Sequence, residues 1–516
     1  MERLLTPTHH KPGLKKVLGL WDVIPFGVSA TLGSGVFVSA GYIARDYTGP
    51  SVVICFGAVI LAVLLSALCF SEFASKLNTS GVGYSYTHHV YGELVAFCVG
   101  VITFVSYCFG SAAGARGFAQ YLDTFIFGLT GMPFPDWAIA RPLNEYISVS
   151  VVAPMVCAIG TLVSIGGMKE SAFVSHFLVI LNLSLMIGFA IYGMYLYGEI
   201  DNLDPFMKPS KEGMISGILE GSGLAFFCLI GWELTCSLRE EMKAPSRDLP
   251  TGIIWILGIV GFLYCSVSLT LCAMMPFEII DVEAPFASAF LFHRDTTMYL
   301  VVSFVASSIC ASNVLSGAIG PPRILYEMAK DGLVHEWLSK VSKKTSVPVR
   351  ASIVCGLVNI IGAAFFDFQS LAKITSCFTL LIYTAVCGGV LSLRRPCRQG
   401  GYNRRLHACL LLFITTSLWF QYSLIDGADN LLISGITNLM AFILVCISYH
   451  SQSSLREPLL ARPSVRGVFE CPLVPVVPLL AVWINTCMIA SMGIWTLASS
   501  IAVVFASGLY FKSSNS

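Results

Sequence analysis

The chain has 516 residues, 55% hydrophobic and only 12% charged, with a formal net charge of +1 and a mean hydropathy of +0.76. A soluble protein carries about 25% charged residues, so this composition excludes a soluble globular fold. The near-neutral balance offers nothing to nucleic acid.

Runs of about 20 apolar residues recur along the chain and predict an all-α polytopic membrane protein. Fourteen spans are expected, near 20–43, 51–72, 92–115, 146–166, 173–197, 214–238, 250–275, 298–319, 350–368, 371–393, 406–425, 430–449, 473–492 and 494–511. The third is expected to stop early, at Arg116. An even count places both termini on one side. Most of the 31 Lys and Arg residues fall in loops of that side, which the positive-inside rule reads as cytoplasmic. Arg394, Arg395, Arg398, Arg404 and Arg405 form the densest cluster and read as a topology determinant. A cleavable signal peptide is not expected, because the N-terminus is polar and its first apolar run has full spanning length.

Span one carries Gly33-Ser34-Gly35 in its middle. These are poor helix formers, and hydrocarbon tolerates an unwound backbone only where protein buries it or it lines a cavity. Such a break aims freed amides at anions and freed carbonyls at cations. The alternative reading is a small-residue face for helix packing. Span six repeats the pattern five spans later, with Gly231 in mid-span and the carboxylate of Glu233 two residues on. An interrupted pair at corresponding positions of two halves is the sequence mark of a transporter site.

Between these spans the loops are short. Residues 323–332 read as an amphipathic interfacial helix stopped by Gly332. Residues 450–471, with Ser, Arg and Pro, read as a linker before a last helical pair. The sequons at Asn78 and Asn182 are expected to stay unglycosylated, the first because of its side and the second because it lies within a span. The 18 cysteines and 9 histidines form no metal-ligand set, and the cysteines read as small hydrophobes. No nucleophile–base set converges either, so no catalytic residue, metal or cofactor is expected.

Six stretches resemble the amino acid–polyamine–organocation (APC) superfamily, and within it the cationic amino acid transporter branch. They are Gly33 to Val38; Leu68 to Phe73; Ser80 to Tyr86 with Gly92-Glu93; Gly231 to Pro250; Pro322 to Gly332; and Cys471 to Pro475. They follow the family's order over nearly the whole chain. The resemblance implies a LeuT-like five-plus-five inverted-repeat core. It implies a cytoplasmic segment 1–19, a transport core 20–393 (spans one to ten), accessory helices 394–512 (spans 11–14) and a tail 513–516. It implies sodium-independent amino acid transport by alternating access, with cationic substrates favoured over neutral ones. A transporter-derived sensor with little flux is the alternative.

On that resemblance the substrate-binding candidates are Gly33, Ser34, Gly35, Ser106, Phe227, Cys228, Ile230 and Gly231. The amides of span one take the substrate carboxylate, and carbonyls near Phe227, Cys228 and Ile230 take its ammonium. Phe227 matches the family's aromatic gate. Ser106 stands where some relatives place a substrate-facing glutamate. Glu72, His176 and Glu233 are the gating or coupling candidates. His176 is read at the place of a lysine that stands in for sodium in relatives. A histidine there changes charge near neutral pH and makes transport proton-sensitive. The chain departs from the family at Leu229, Lys373 and Phe378 as well. The partners implied are a small-molecule amino acid and the lipid bilayer, with a partner subunit left open. The plasma membrane is favoured over a lysosomal or vacuolar one.

Overall fold

The computed structural model describes residues 18–77, 82–143, 148–166, 172–208, 214–342, 345, 347–394, 404–425, 430–451 and 469–514. Helices account for nearly all of it. The one sheet among these residues is a two-stranded antiparallel pair, Arg141–Pro142 with Ser148–Val149. Every expected span falls on a helix. By length and apolarity, eight described helices suffice to cross a membrane, or nine if one bent pair is a single span. The helices at Val152–Ile165, Val349–Phe365 and Val476–Ser491 are shorter.

Large apolar side chains cover the outside: Leu61, Phe262, Leu439 and Phe505 are each more than half exposed. In water such a surface would drive aggregation; in lipid it is the matching solvent. With the recurrent apolar spans, it makes this an all-α, multi-pass membrane protein.

Span one is two helices, Leu20–Thr31 and Gly35–Tyr42, and span six is Met214–Phe226 followed by 3-10 segments at Phe227–Leu229 and Trp232–Glu241. Span two (Val52–Lys76) packs on span seven (Pro245–Met274), and both flank the broken pair. Span three (Glu93–Thr130) lies along span eight (Thr296–Ile319), and span four (Val152–Ile165) along span nine (Val349–Phe365). Span ten (Phe368–Arg394) packs between span three and the helix Val476–Ser491. Neighbouring spans thus pair with the one five places later.

Span three does not stop at Arg116. The helix continues to Thr130, and Arg116 is buried within it. Its guanidinium donates to the Ser148 carbonyl, to the Ala364 carbonyl (3.1 Å) and to Ser148 Oγ (3.4 Å). A buried cation is expensive when unpaired, and here carbonyls of the strand Ser148–Val149 and the helix Val349–Phe365 pair with its amino groups, leaving only Nε without a partner. The amphipathic helix is present as Pro321–Lys330, with Gly332 beyond it at φ +76°.

At the end of span two, Glu72 is fully buried and receives four hydrogen bonds of 2.8 Å: from Lys76, from Arg394 Nε and Nη2, and from the Cys471 amide. Arg394 also donates to the Cys471 carbonyl (2.7 Å), and Lys76 reaches Glu470 at 3.2 Å. Ser75 Oγ donates to the Phe469 carbonyl (2.8 Å). The segment leading into the helix Val476–Ser491 is thereby tied to the ends of spans two and ten. Arg394 thus has an ion-pair partner as well as a place in a basic cluster. Removing one partner of a buried pair costs about 3–5 kcal/mol. Arg394→Gln is expected to cost about 3 kcal/mol, near the low end because Lys76 and the Cys471 amide stay. It should lower the unfolding temperature of detergent-purified protein by several degrees, read by a thiol-reactive dye.

Candidate functional site

The break in span one begins where the helix Leu20–Thr31 runs out. Leu32 leaves helical geometry at ψ 82°, and the Gly33 amide folds back onto the Thr31 carbonyl (2.9 Å). Ser34 starts the next helix, which has no side-chain cap. The first amides of any helix lack intrahelical partners, so the start of Gly35–Tyr42 offers N–H groups and the positive end of a dipole.

Span six breaks by a different device. The 3-10 turn Phe227–Leu229 ends in extended Ile230 (ψ 143°), and Gly231 follows at φ +118°. The two arms are bent by 40°. Residues other than glycine rarely hold that φ. A Cβ at Gly231 would also collide with the Ala30 carbonyl. The freed Gly231 amide donates to Glu233 Oε2 (2.9 Å), and the Tyr383 hydroxyl donates to the same oxygen (2.8 Å). Glu233 therefore caps its own break.

The two breaks touch. A Cβ added at Gly35 would lie 3.1 Å from the Phe227 ring and 3.2 Å from Cys228 Cα. The uncapped helix start of span one thus abuts the turn of span six. Four other spans supply partners here. Asn182 of span five donates to the Leu32 carbonyl (3.3 Å). Tyr264 of span seven sits between the Thr31 and Cys228 carbonyls, 3.2 Å from each. Asn313 of span eight donates to Ser34 Oγ (2.8 Å). Gly114 of span three faces Asn313 and Ser34, and has no side chain to fill the gap.

Aromatic side chains close the junction. Phe227 meets Phe368 edge-on at 5.7 Å. On the Glu233 side, Phe70, Trp232 and Tyr383 pack mutually at 5.1–5.5 Å. Lys373 and Gln369, on the Phe368 side of span ten, both donate to the Tyr47 hydroxyl, at 3.2 and 2.8 Å.

Of the candidates read from sequence, the structure brings Ser34, Gly35, Phe227 and Cys228 together, and sets Gly231 against Ala30 with Ile230 leading into it. The Gly33 amide is engaged within the turn. Ser106 pairs with Thr379 Oγ1 (3.0 Å) and the Thr375 carbonyl (3.3 Å), joining spans three and ten. Glu72 lies in the ion-pair group at the end of span two. His176 belongs to the helix Ala172–Gly188, but its side chain lies outside the described residues. Sequence reasoning missed Tyr264, Asn313 and Tyr383, and read Asn182 only as a sequon. The signal was there: each is a polar group within an apolar span, where an unpaired one is costly.

The amino acid permease family profile matches residues 18–449. Two relatives from Arabidopsis thaliana are each 29% identical. "Cationic amino acid transporter 4, vacuolar" aligns over 95% of this chain and 92% of its own length. For "Cationic amino acid transporter 7, chloroplastic" the shares are 93% and 82%. From Homo sapiens, "Cationic amino acid transporter 4" is 27% identical over 97% of this chain and 88% of its own.

Gly35 is where the two breaks approach each other. The β-branched side chain of Gly35→Val would fill the junction with Phe227 and Cys228. The variant is expected to reach its membrane and elute as a single species, yet to lose amino acid binding by at least about tenfold, or ~1.4 kcal/mol. Scintillation proximity binding on purified protein measures it.

Proposed function

This chain belongs to the amino acid permease family, and we propose from that premise that it carries amino acids across a membrane by alternating access, without sodium. The family is one of transporters rather than enzymes, and its substrate is an amino acid. The observation that carries the finer reading is the contact between the uncapped helix start at Gly35 and the span-six turn at Phe227–Cys228. An amino acid backbone is a zwitterion. Its carboxylate matches freed amides at the positive end of a helix, and its ammonium matches freed carbonyls. Neither needs a charged side chain.

The same proposal extends to architecture. Fourteen spans would comprise a five-plus-five core over 20–393 and accessory helices over 394–512, with both termini in the cytoplasm. Pairing of spans two, three and four with seven, eight and nine supports that division. Phe227 with Phe368 would form the gate on one side, and Glu72 with Arg394 a latch on the other. The relatives are named for vacuolar and chloroplastic membranes as well as without location. We favour the plasma membrane, with an internal membrane as the alternative.

Cationic amino acids are the first choice of substrate, by the names of the relatives. One observation favours neutral ones: Lys373 stands a turn and a half from Phe368 on the same helix, where a cationic side chain would meet it. Glu233, the acid at the break, is already bonded to Gly231 and Tyr383. Uptake of every proteinogenic amino acid into proteoliposomes, with and without sodium, separates the readings. Flux of lysine and arginine unchanged by sodium removal is the expected result. Flux confined to neutral amino acids would reassign the substrate, and binding without flux would mark a sensor.

Proton sensitivity through His176 is part of the same proposal. A histidine changes charge near pH 6.5, where a lysine of ordinary pKa stays charged. Initial uptake from pH 5 to 8 is expected to vary in the wild type and to flatten in His176→Lys. Superimposable profiles would remove His176 from coupling.

A further inference from the structure

We propose that Tyr264 is a positioning residue for the substrate's α-ammonium group, linking the carbonyl that receives it to the break in span one. The inference rests on the transport reading above and adds a residue that neither the motifs nor the breaks themselves contain. Tyr264 is fully buried in span seven, and its ring packs against Phe56 of span two at 5.6 Å. Packing fixes the ring, so the hydroxyl is held at one point. That point lies 3.2 Å from the Thr31 carbonyl and 3.2 Å from the Cys228 carbonyl.

A phenol carries one proton. At any moment it donates to one of these carbonyls and leaves the other without it. The two acceptors are not equivalent. Thr31 O also receives the Gly33 amide at 2.9 Å. The amide three residues beyond Cys228, on Gly231, is turned away to Glu233. Cys228 O is thus the acceptor with most to gain from a new donor, and it belongs to the residue whose Cα packs against Gly35, where the substrate would bind.

An ammonium group arriving at Cys228 O supplies that donor. The Tyr264 hydroxyl then donates to Thr31 O alone, at the last residue of the helix before the break. No covalent bond changes; one hydrogen bond moves from span six to span one. Substrate occupancy is thereby felt in span one through a neutral hydroxyl. A charge-assisted hydrogen bond to the ammonium is stronger than the neutral one it replaces, so the exchange favours the occupied state.

The test compares wild type and Tyr264→Phe in proteoliposomes. It uses two probes: an amino acid that the wild type carries, and its des-amino analogue, which keeps the carboxylate and side chain. Tyr264→Phe keeps the ring and its packing and removes only the hydroxyl that carries the shared proton. The expected result is a KM for the amino acid raised about tenfold with kcat within about twofold, while inhibition by the des-amino analogue is unchanged. Equal losses for both probes would show a general distortion and overturn the proposal. So would unchanged KM, or a variant that cannot be recovered folded, which would place the hydroxyl in stability alone. A wild type that moves no amino acid removes the transport reading and this inference with it. Wild-type flux with an unaltered variant removes this inference only.

Discussion

Hydrocarbon offers no hydrogen-bond partner to a backbone group released from a helix, and that constraint organises the molecule. Each unsatisfied group costs several kcal/mol in lipid, so a broken span must recruit donors and acceptors from its neighbours. Asn182 on the Leu32 carbonyl, Tyr264 on the Thr31 and Cys228 carbonyls, and Glu233 with Tyr383 at the Gly231 amide are those recruits. Spans five, seven and ten are drawn to the breaks by them, and span eight by Asn313 on Ser34 Oγ. The start of the helix Gly35–Tyr42 is left without a side-chain cap, at the contact between the two breaks. A zwitterion would meet its complement there.

The same economy bears on motion. Phe227 over Phe368 and the Phe70–Trp232–Tyr383 cluster pack either side of the junction, and the Glu72 group ties spans two and ten to the segment before the helix Val476–Ser491. On the proposed alternating-access mechanism these closures would open in turn, and a ligand could drive that only by its differential affinity for the two states. Aromatic contacts are individually worth about 0.5–1.5 kcal/mol, so a gate of one pair is cheap to open. A fully buried carboxylate with four donors is not. On that proposal Phe227 would be the easier door.

The breaks were legible in the sequence because glycine is a local signal: Gly33, Gly35 and Gly231 advertise poor helix formation without reference to anything distant. Glu233 was legible for a similar reason, two residues from the glycine whose amide it caps. What was not legible depended on partners far along the chain. Arg116 read as a stop because nothing local shows that the Ser148 and Ala364 carbonyls will meet it. Arg394 read as one of a basic cluster because Glu72 lies more than 300 residues away. Tyr264 and Asn313 went unread because polarity within a span shows that a partner is needed but not which one.

A structure of the purified protein with a bound, transported amino acid, determined by cryo-electron microscopy in lipid nanodiscs, tests the central claim most directly. The account predicts ligand density at the contact of the two breaks, with the carboxylate on the amides at the start of Gly35–Tyr42 and the ammonium within hydrogen-bond distance of the Cys228 carbonyl. Density elsewhere, or a ligand held mainly by charged side chains while the two breaks keep their present contacts, would contradict it.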